Sequence, residues 1–180
     1  MSNKSCTLQG LEQVLLDQPS QPPVHLWQPE LSGDMDMVIC SDGRWLHEGD
    51  PIKRDKLVAL FASILRREED GEYYLLTPVE KWRIKVEDAA LLAVDMDVFD
   101  EEGQQQIVFT TNVGTRFLLN ETHPLRMLVD ERGQPSPELV LNNGLHAKLT
   151  RAVYYRLVDI AKQKGEAYTV TSAGQDFLLS

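Results

Sequence analysis

The sequence predicts an α+β fold in which a helix followed by a β-hairpin occurs twice, on antiparallel sheets. Apolar residues spaced three or four apart predict one helix around Leu57 to Leu65 and another around Leu149 to Ala161. Short segments of alternating polarity, separated by glycine-containing turns, predict strands before and after each helix. The segment Gly71–Thr77 matches Gly165–Thr171 at four of seven positions, and each segment follows a predicted helix. The chain is therefore predicted to be internally duplicated.

Residues 1–30 are predicted to form an N-terminal helix and a tether. Leu8, Leu11, Val14 and Leu15 fall on one face of a short helix, and the stretch DQPSQPPVHLWQPE that follows is rich in proline. A proline-rich stretch cannot continue a helix, because its prolines lack the amide proton that a helix requires. We expect this stretch to lie on the surface of the domain that follows.

Residues 31–90 are predicted to form the first α+β domain. MDMVIC and RWLHE flank a Ser41-Asp42-Gly43 turn, which predicts a hairpin. Asp50 before Pro51 has the form of a helix cap followed by a first-turn proline, so the helix is predicted to begin there. The apolar stripe of this helix runs from Leu57 to Leu65. The charged run REEDG ends it, and a second hairpin follows.

Residues 91–180 are predicted to form the second domain. LLAVDMDVF, QQQIVFTT, TRFLLN and PLRMLVD alternate with turns, which predicts an antiparallel meander of four strands. A helix is predicted directly after Asn142-Asn143-Gly144, and its apolar face includes Val153 and Leu157. The charged loop KQKGE then leads into the repeated hairpin.

Composition and charge exclude several classes of protein. The chain has 180 residues, 42% of them hydrophobic, and a net charge of -10, so a binder of nucleic-acid polymers is not expected. The N-terminus lacks a secretory signal, and the longest apolar run, residues 89–94, is too short to span a bilayer. Cys6 and Cys40 have neither metal-ligand spacing nor the density of a disulfide scaffold. A cytoplasmic protein without a membrane partner is expected, and its oligomeric state is left open.

The duplication separates residues that both copies share from residues that only one copy has. Lys81, Trp82 and Arg83 in the first hairpin have no counterparts in the second. Strand alternation places Trp82 in the core and puts Lys81, Arg83 and Lys85 on the opposite face. This cationic row is either a solvated sheet face or a contact for an anionic ligand, for which an arginine supplies a planar fork. Arg54 and Arg151 each lie near the start of a predicted helix, where an anionic partner would offset their unfavourable position in the helix dipole.

Several strings resemble a bacterial family catalogued as a domain of unknown function, number twelve eighty-five. They include DGRW, LFASILRRE, YYLLTPVEKWRIKVEDA, HPLR and VYYRLV, of which TPVEKWRIKVED is the most specific. The resemblance implies a cytoplasmic protein with a duplicated α+β core, whose second half superficially resembles a pleckstrin-homology barrel. It also implies a site for a small, nucleotide-like ligand at the junction of the two halves, and a signalling role.

The polar residues that match the family pattern are Arg54, Thr77, Glu80, Lys81, Arg83, Asp88, Asn112, His123 and Arg151. From them we predict a ligand site made of Lys81, Arg83, Arg54 and Arg151, with Thr77, Asn112 and His123 as polar supplements. The chain departs from the family pattern at Ala90, Glu138 and Asn143.

Catalytic motifs are missing from the sequence. No two glycines are separated by a single residue, which excludes the dinucleotide fingerprint and the nucleophile elbow, and no phosphate-loop lysine occurs. No catalytic residue, cofactor or metal site is predicted. The first hypothesis is therefore a non-catalytic regulatory protein that binds a small anion. The alternative is a module that accepts a peptide along a sheet edge, and an enzyme of unknown type is the third.

Overall fold

The chain divides into two units, one ending at Glu87 and the other beginning at Asp88. The computed structural model describes residues 22–180, so the helix predicted from Leu8 to Leu15 lies outside the described residues. Each unit combines one described α-helix with several strands, which confirms the predicted α+β class.

The N-terminal unit is a six-stranded sheet with one helix. Its elements are β1 (Gly33–Ile39), β2 (Trp45–His47), β3 (Asp50–Pro51), α1 (Asp55–Ser63), β4 (Leu65–Arg67), β5 (Tyr73–Leu76) and β6 (Lys81–Val86). The strand order is β3-β2-β1-β6-β5-β4. The predicted hairpin of β1 and β2 is confirmed. The sheet is antiparallel as predicted except at one place, where β1 and β6 pair in parallel. The chain reaches β6 by a crossover that includes α1, and a crossover of this kind lets two strands run in the same direction.

One face of this sheet packs against α1. Ile39 lies between Trp45 of β2 and Val86 of β6. Leu57 and Phe61 of α1 are buried, and the Phe61 ring stacks on Trp45 with 6.5 Å between the ring centroids. The apolar residues one turn apart on α1 therefore share its buried face, and the contact of Phe61 with Trp45 joins this face to the sheet.

The first helix begins later than the sequence predicts. Asp50 and Pro51 form β3, which pairs with Leu46 and His47, and the N-cap of α1 is Arg54. Pro51 is compatible with this position because β3 lies at the edge of the sheet, where an amide proton is not required for pairing. The last residue of the predicted stripe, Leu65, already belongs to β4.

The C-terminal unit contains two sheets and one helix. Its elements are β7 (Leu91–Glu101), β8 (Gln104–Thr111), β9 (Arg116–Leu118), β10 (Leu125–Arg126), β11 (Glu138–Val140), β12 (His146–Leu149), α2 (Arg151–Asp159), β13 (Lys162–Lys164), β14 (Ala167–Ser172) and β15 (Gln175–Leu178). The larger sheet has the order β10-β11-β12-β7-β8-β9. The first three strands of the predicted meander, β7 to β9, are confirmed. The fourth, β10, instead pairs with β11 at the other edge, and β12 lies parallel to β7.

The second helix also begins later than predicted. Asn142 to Gly144 form the turn between β11 and β12, and α2 starts at Arg151 after a Thr150 cap. Asn143 and Gly144 have φ values of 58° and 72°, the left-handed conformation that tight hairpin turns require. Asn143 and Gly144 therefore form a hairpin turn, because both accept positive φ, and they do not directly precede a helix.

The predicted duplication is confirmed. In both units a helix of nine residues leads into three consecutive antiparallel strands, α1-β4-β5-β6 and α2-β13-β14-β15. The aligned pairs Leu57 and Val153, and Phe61 and Leu157, are all buried. The copies differ in sheet membership, because β4 to β6 join β1 to β3 whereas β13 to β15 form a separate three-stranded sheet.

Candidate functional site

The predicted cationic row lies on one face of β6. The register pairs Arg83 with Tyr74 and Asp34, and pairs Lys81 with Leu76, whereas Trp82 pairs with Leu75. Because side chains alternate along a strand, Lys81 and Arg83 share the face opposite to α1. This arrangement confirms the predicted alternation of side chains along β6.

Lys81 belongs to a compact set of charged side chains, the Glu68 cluster. This set consists of Arg66, Glu68, Asp70, Tyr74 and Lys81. Lys81 Nζ lies 2.7 Å from Glu68 Oε1 and 2.9 Å from Oε2, and Arg66 Nη2 donates to Oε1 at 2.8 Å. The side chains of Lys81, Arg66 and Glu68 are 17%, 12% and 25% exposed. Two cations therefore converge on one carboxylate in a largely buried recess, where charge interactions are stronger than in water.

The backbone brings Glu68 to this position. Glu68 follows the last residue of β4 and begins the turn that leads to β5. Its amide donates to the Glu72 carbonyl oxygen, and the Gly71 amide donates to the Glu68 carbonyl oxygen, each at 3.0 Å. Burial opposes ionisation of Glu68, but hydrogen bonds from Lys81 and Arg66 outweigh it and lower the pKa of the carboxyl. Glu68 is thus held as an anion.

Tyr74 forms the apolar side of the recess. Lys81 Nζ lies 4.3 Å from the Tyr74 ring centroid, a cation–π distance. The Tyr74 hydroxyl donates to Asp70 Oδ2 at 2.6 Å, and Asp70 Oδ1 accepts from the Glu72 amide. The hydrogen bond to Asp70, together with burial, raises the pKa of Tyr74 to about 12. The phenol therefore remains protonated at neutral pH and anchors the turn.

This anchoring predicts a pH dependence. The folded pKa of Tyr74 lies above its ordinary value of 10.0, so its contribution to stability is present below about pH 10 and is lost as pH rises through about 12. Ultraviolet absorbance should show a late tyrosine ionisation that Tyr74→Phe removes and Asp70→Asn moves to lower pH. Glu69→Gln, which changes a neighbouring exposed acid, is the control. An unchanged titration in Asp70→Asn would contradict the assignment.

Arg66 connects the cluster to the beginning of the described chain. Its Nη1 donates to the carbonyl oxygens of Val24, at 3.1 Å, and Trp27, at 2.8 Å. Val24 begins a short 3-10 helix, Val24–Leu26, and is fully buried. The segment that the sequence predicted as a surface tether therefore packs, at Val24, against the sheet of the N-terminal unit. The guanidinium is held by two backbone carbonyls, independently of Glu68.

The other predicted residues of this unit have separate contacts. Arg83 Nε donates to Asp34 at 2.6 Å, which lowers the pKa of the Asp34 carboxyl, and both side chains are substantially exposed. Thr77 is buried and its hydroxyl accepts from the amides of Val79 and Glu80, so it shapes the turn between β5 and β6. Arg54 is the N-cap of α1, which packs on the opposite face from Lys81.

Three predicted residues belong to the C-terminal unit. Asn112 Oδ1 accepts from the Leu92 amide at 3.0 Å and so joins the β8–β9 turn to β7. His123 Nδ1 lies 3.2 Å from the Val140 carbonyl oxygen, and its ring meets Phe117 edge to face. Arg151 is the exposed first residue of α2, while Thr150 supplies the cap by accepting from Val153. The expectation of one ligand site shared by both halves stays a prediction.

The second copy of the repeat has an ion pair of reversed polarity. Lys164, at the end of β13, pairs with Asp176 of β15, which also accepts from Thr171. Gln175 occupies the position that the alignment gives to Lys81. Asp176 aligns with Trp82, one residue beyond the position of Lys81, so the two ion pairs do not occupy equivalent positions. The convergence of Lys81 and Arg66 on one carboxylate is specific to the first copy.

Sequence reasoning missed Arg66, Glu68 and Tyr74 as neighbours of Lys81. Arg66 directly faces Tyr74 across β4 and β5, a pairing that depends on register. The available signal was the charged run after the first helix, LRREED, which precedes a tyrosine-rich strand.

The described residues also bear on metal binding and on membrane insertion. Within residues 22–180, no group of three or more histidine, cysteine or acidic side chains is placed to hold a metal ion. None of the helices described there is both long enough and apolar enough to cross a membrane.

Comparison with known proteins gives a consistent set of relatives. Models of the N-terminal and C-terminal domains of DUF1285, both described as of unknown function, match residues 22–89 and 90–179. A crystal structure of a DUF1285 family protein from Silicibacter pomeroyi is 41% identical, with a TM-score of 0.84, and 94% of each chain is covered. A DUF1285 family protein from Shewanella baltica is 36% identical, with a TM-score of 0.56, over 69% of this chain and 91% of its own. The curated proteins include no match.

Proposed function

The chain belongs to the DUF1285 family, and we propose that it is a non-catalytic regulatory protein whose N-terminal unit binds a small anionic, nucleotide-like ligand at the Glu68 cluster. The observation that carries the proposal is the convergence of Lys81 and Arg66 on one carboxylate. Two cations that share a poorly solvated recess repel each other unless an anion lies between them.

The chemistry of the two cations suits an oxyanion. Arg66 directs Nη2 at the carboxylate while Nη1 stays bonded to backbone carbonyls, and Lys81 adds a point charge from β6. Arg83, two residues along the same face from Lys81, adds a third, more exposed cation that pairs with Asp34. This gradient of exposure suits a ligand whose anionic end enters the recess while its remainder stays near the surface.

The absence of an activated group supports binding without catalysis. Among the side chains of the cluster, Tyr74 has a pKa near 12 and Glu68 is an anion already bonded to both cations. A nucleophile or general base needs a pKa near the working pH and access to substrate. Neither group meets that requirement.

Thermal unfolding with a panel of nucleotides and phosphorylated metabolites tests the proposal. A ligand present at about 100 times its Kd stabilises the folded protein by about 2.7 kcal/mol, so at least one member should raise the midpoint by several degrees. Lys81→Ala should abolish the shift. Lys85→Ala is the matched control, because it removes an exposed cation from the same strand face and should preserve the shift.

Absence of a shift across the whole panel, or an unaltered shift in Lys81→Ala, would contradict the proposal. Either outcome favours the alternative of a peptide that pairs with a sheet edge. Binding of such a partner would tolerate Lys81→Ala but not a proline placed in an edge strand.

A further inference from the structure

We propose that Glu68 is a built-in occupant of the anion site and that the ligand displaces it with a phosphomonoester group. This inference rests on the proposed function and specifies how the same site is regulated. The Glu68 carboxylate receives Lys81 Nζ on both oxygens and Arg66 Nη2 on Oε1. An external oxyanion bound by the same two cations would occupy the same position.

The recess keeps its form when the Glu68 side chain leaves. Arg66 remains bonded to the carbonyl oxygens of Val24 and Trp27 through Nη1, a nitrogen that does not bind Glu68. Lys81 remains against the ring of Tyr74. Both cations are therefore already positioned for a second anion, which lowers the ordering cost of binding.

The turn also survives the loss of the carboxylate contacts. Its hydrogen bonds are made by the backbone of Glu68, Gly71 and Glu72 and by the Asp70 carboxylate, and none uses the Glu68 carboxylate. The Glu68 side chain is 25% exposed, so rotation about its own bonds can take the carboxylate into water. Displacement therefore requires a side-chain movement and no unfolding of the turn.

Charge decides which ligand can displace Glu68. A tethered carboxylate competes at an effective concentration of roughly millimolar or more. A free carboxylate offers the cations the same single charge and also loses translational freedom on binding, so it has no advantage over Glu68. A phosphomonoester carries a charge of about -1.5 to -2 and three acceptor oxygens, which gives it a stronger attraction to Lys81 and Arg66.

Inorganic phosphate at about pH 8, where it is mainly the dianion, tests the inference, with chloride used to match ionic strength. Without the internal competitor, Glu68→Gln should lower the half-saturating phosphate concentration on the order of tenfold. Glu69→Gln is the matched control, because it removes the same charge from the next, exposed residue and should leave the concentration within about twofold. Acetate at the same concentrations should not bind the unaltered protein.

The outcomes separate the two proposals. If phosphate binds the unaltered protein and Lys81→Ala removes binding, but Glu68→Gln binds no more tightly, displacement is wrong while the anion site stands. Equal binding of acetate would overturn the phosphomonoester assignment. If phosphate binds neither the unaltered protein nor Glu68→Gln, both proposals fail.

A measurement on the unaltered protein covers the case in which Glu68→Gln does not fold. The carboxyl carbon resonance of Glu68 should move, at saturating phosphate, towards that of the exposed Glu69. A resonance that keeps its position while phosphate binds would refute displacement.

Discussion

Replacement of Phe61 by alanine is expected to lower the free energy of unfolding of the N-terminal unit by roughly 3–5 kcal/mol. Phe61 has no exposed surface, and its ring is stacked on Trp45 at 6.5 Å between centroids and 17° between planes. Alanine would leave a cavity between α1 and the sheet, because α1 is joined to β4 and cannot collapse freely onto Trp45. The loss of the aromatic contact adds to the cost.

Denaturant unfolding followed by tryptophan fluorescence measures this effect. Val79→Ala is the control, because Val79 is 80% exposed in the β5–β6 turn and its truncation should change the free energy by no more than about 0.5 kcal/mol. A loss of less than about 1 kcal/mol in Phe61→Ala would mean that α1 contributes little to the core.

Arg66→Met is expected to destabilise the N-terminal unit by roughly 2–4 kcal/mol. Methionine has a similar length and is apolar, so the change removes the hydrogen bonds while filling much of the volume. Three acceptors lose a partner: the carbonyl oxygens of Val24 and Trp27 and the carboxylate of Glu68. Lys81 stays paired with the carboxylate, so much of the cost comes from the two carbonyl oxygens that lose their donor.

The same unfolding measurement with two further variants identifies the cause. Arg44→Met removes a guanidinium whose partner, Asp42, is well exposed, and it should leave the midpoint nearly unchanged. Arg66→Met combined with Glu68→Gln should be less stable than Arg66→Met alone, because Lys81 then also loses the carboxylate that pairs with it. If the double variant is as stable as Arg66→Met alone, the pairing of Glu68 with Lys81 contributes nothing to stability.

The sequence predicted much of the fold because its signals were local. The alternation of Trp82 and Arg83 determines which side chain faces the core, and the hairpins on either side of Ser41-Asp42-Gly43 and of Glu102-Gly103 follow from turn residues between strands. The repeat was visible because both copies bury the same helix positions. Predictions that depended on a boundary were wrong where a residue suits two structures. Pro51 suits an edge strand as well as a first helical turn.

Only part of the candidate site was predicted from the sequence. Lys81 and Arg83 were identified by their position in one copy of the repeat, but their partners were not. Lys81 meets Glu68 across 13 residues of sequence, and Arg66 meets Val24 across 42. Periodicity within a segment carries no information about which segments become neighbours.

Propensity and periodicity act over a few residues, so they were enough to predict the class of the fold, the duplication and the face on which each strand residue lies. The parallel pairing of β1 with β6 and the position of Glu68 between Lys81 and Arg66 depend on contacts between distant segments. Strand order and register are set by the packing of whole elements, and a shift of one residue would turn Lys81 to the opposite face. The hairpin of β5 and β6 therefore contributes Lys81 and the ring of Tyr74, whereas Arg66 and Glu68 come from β4 and the turn that follows it.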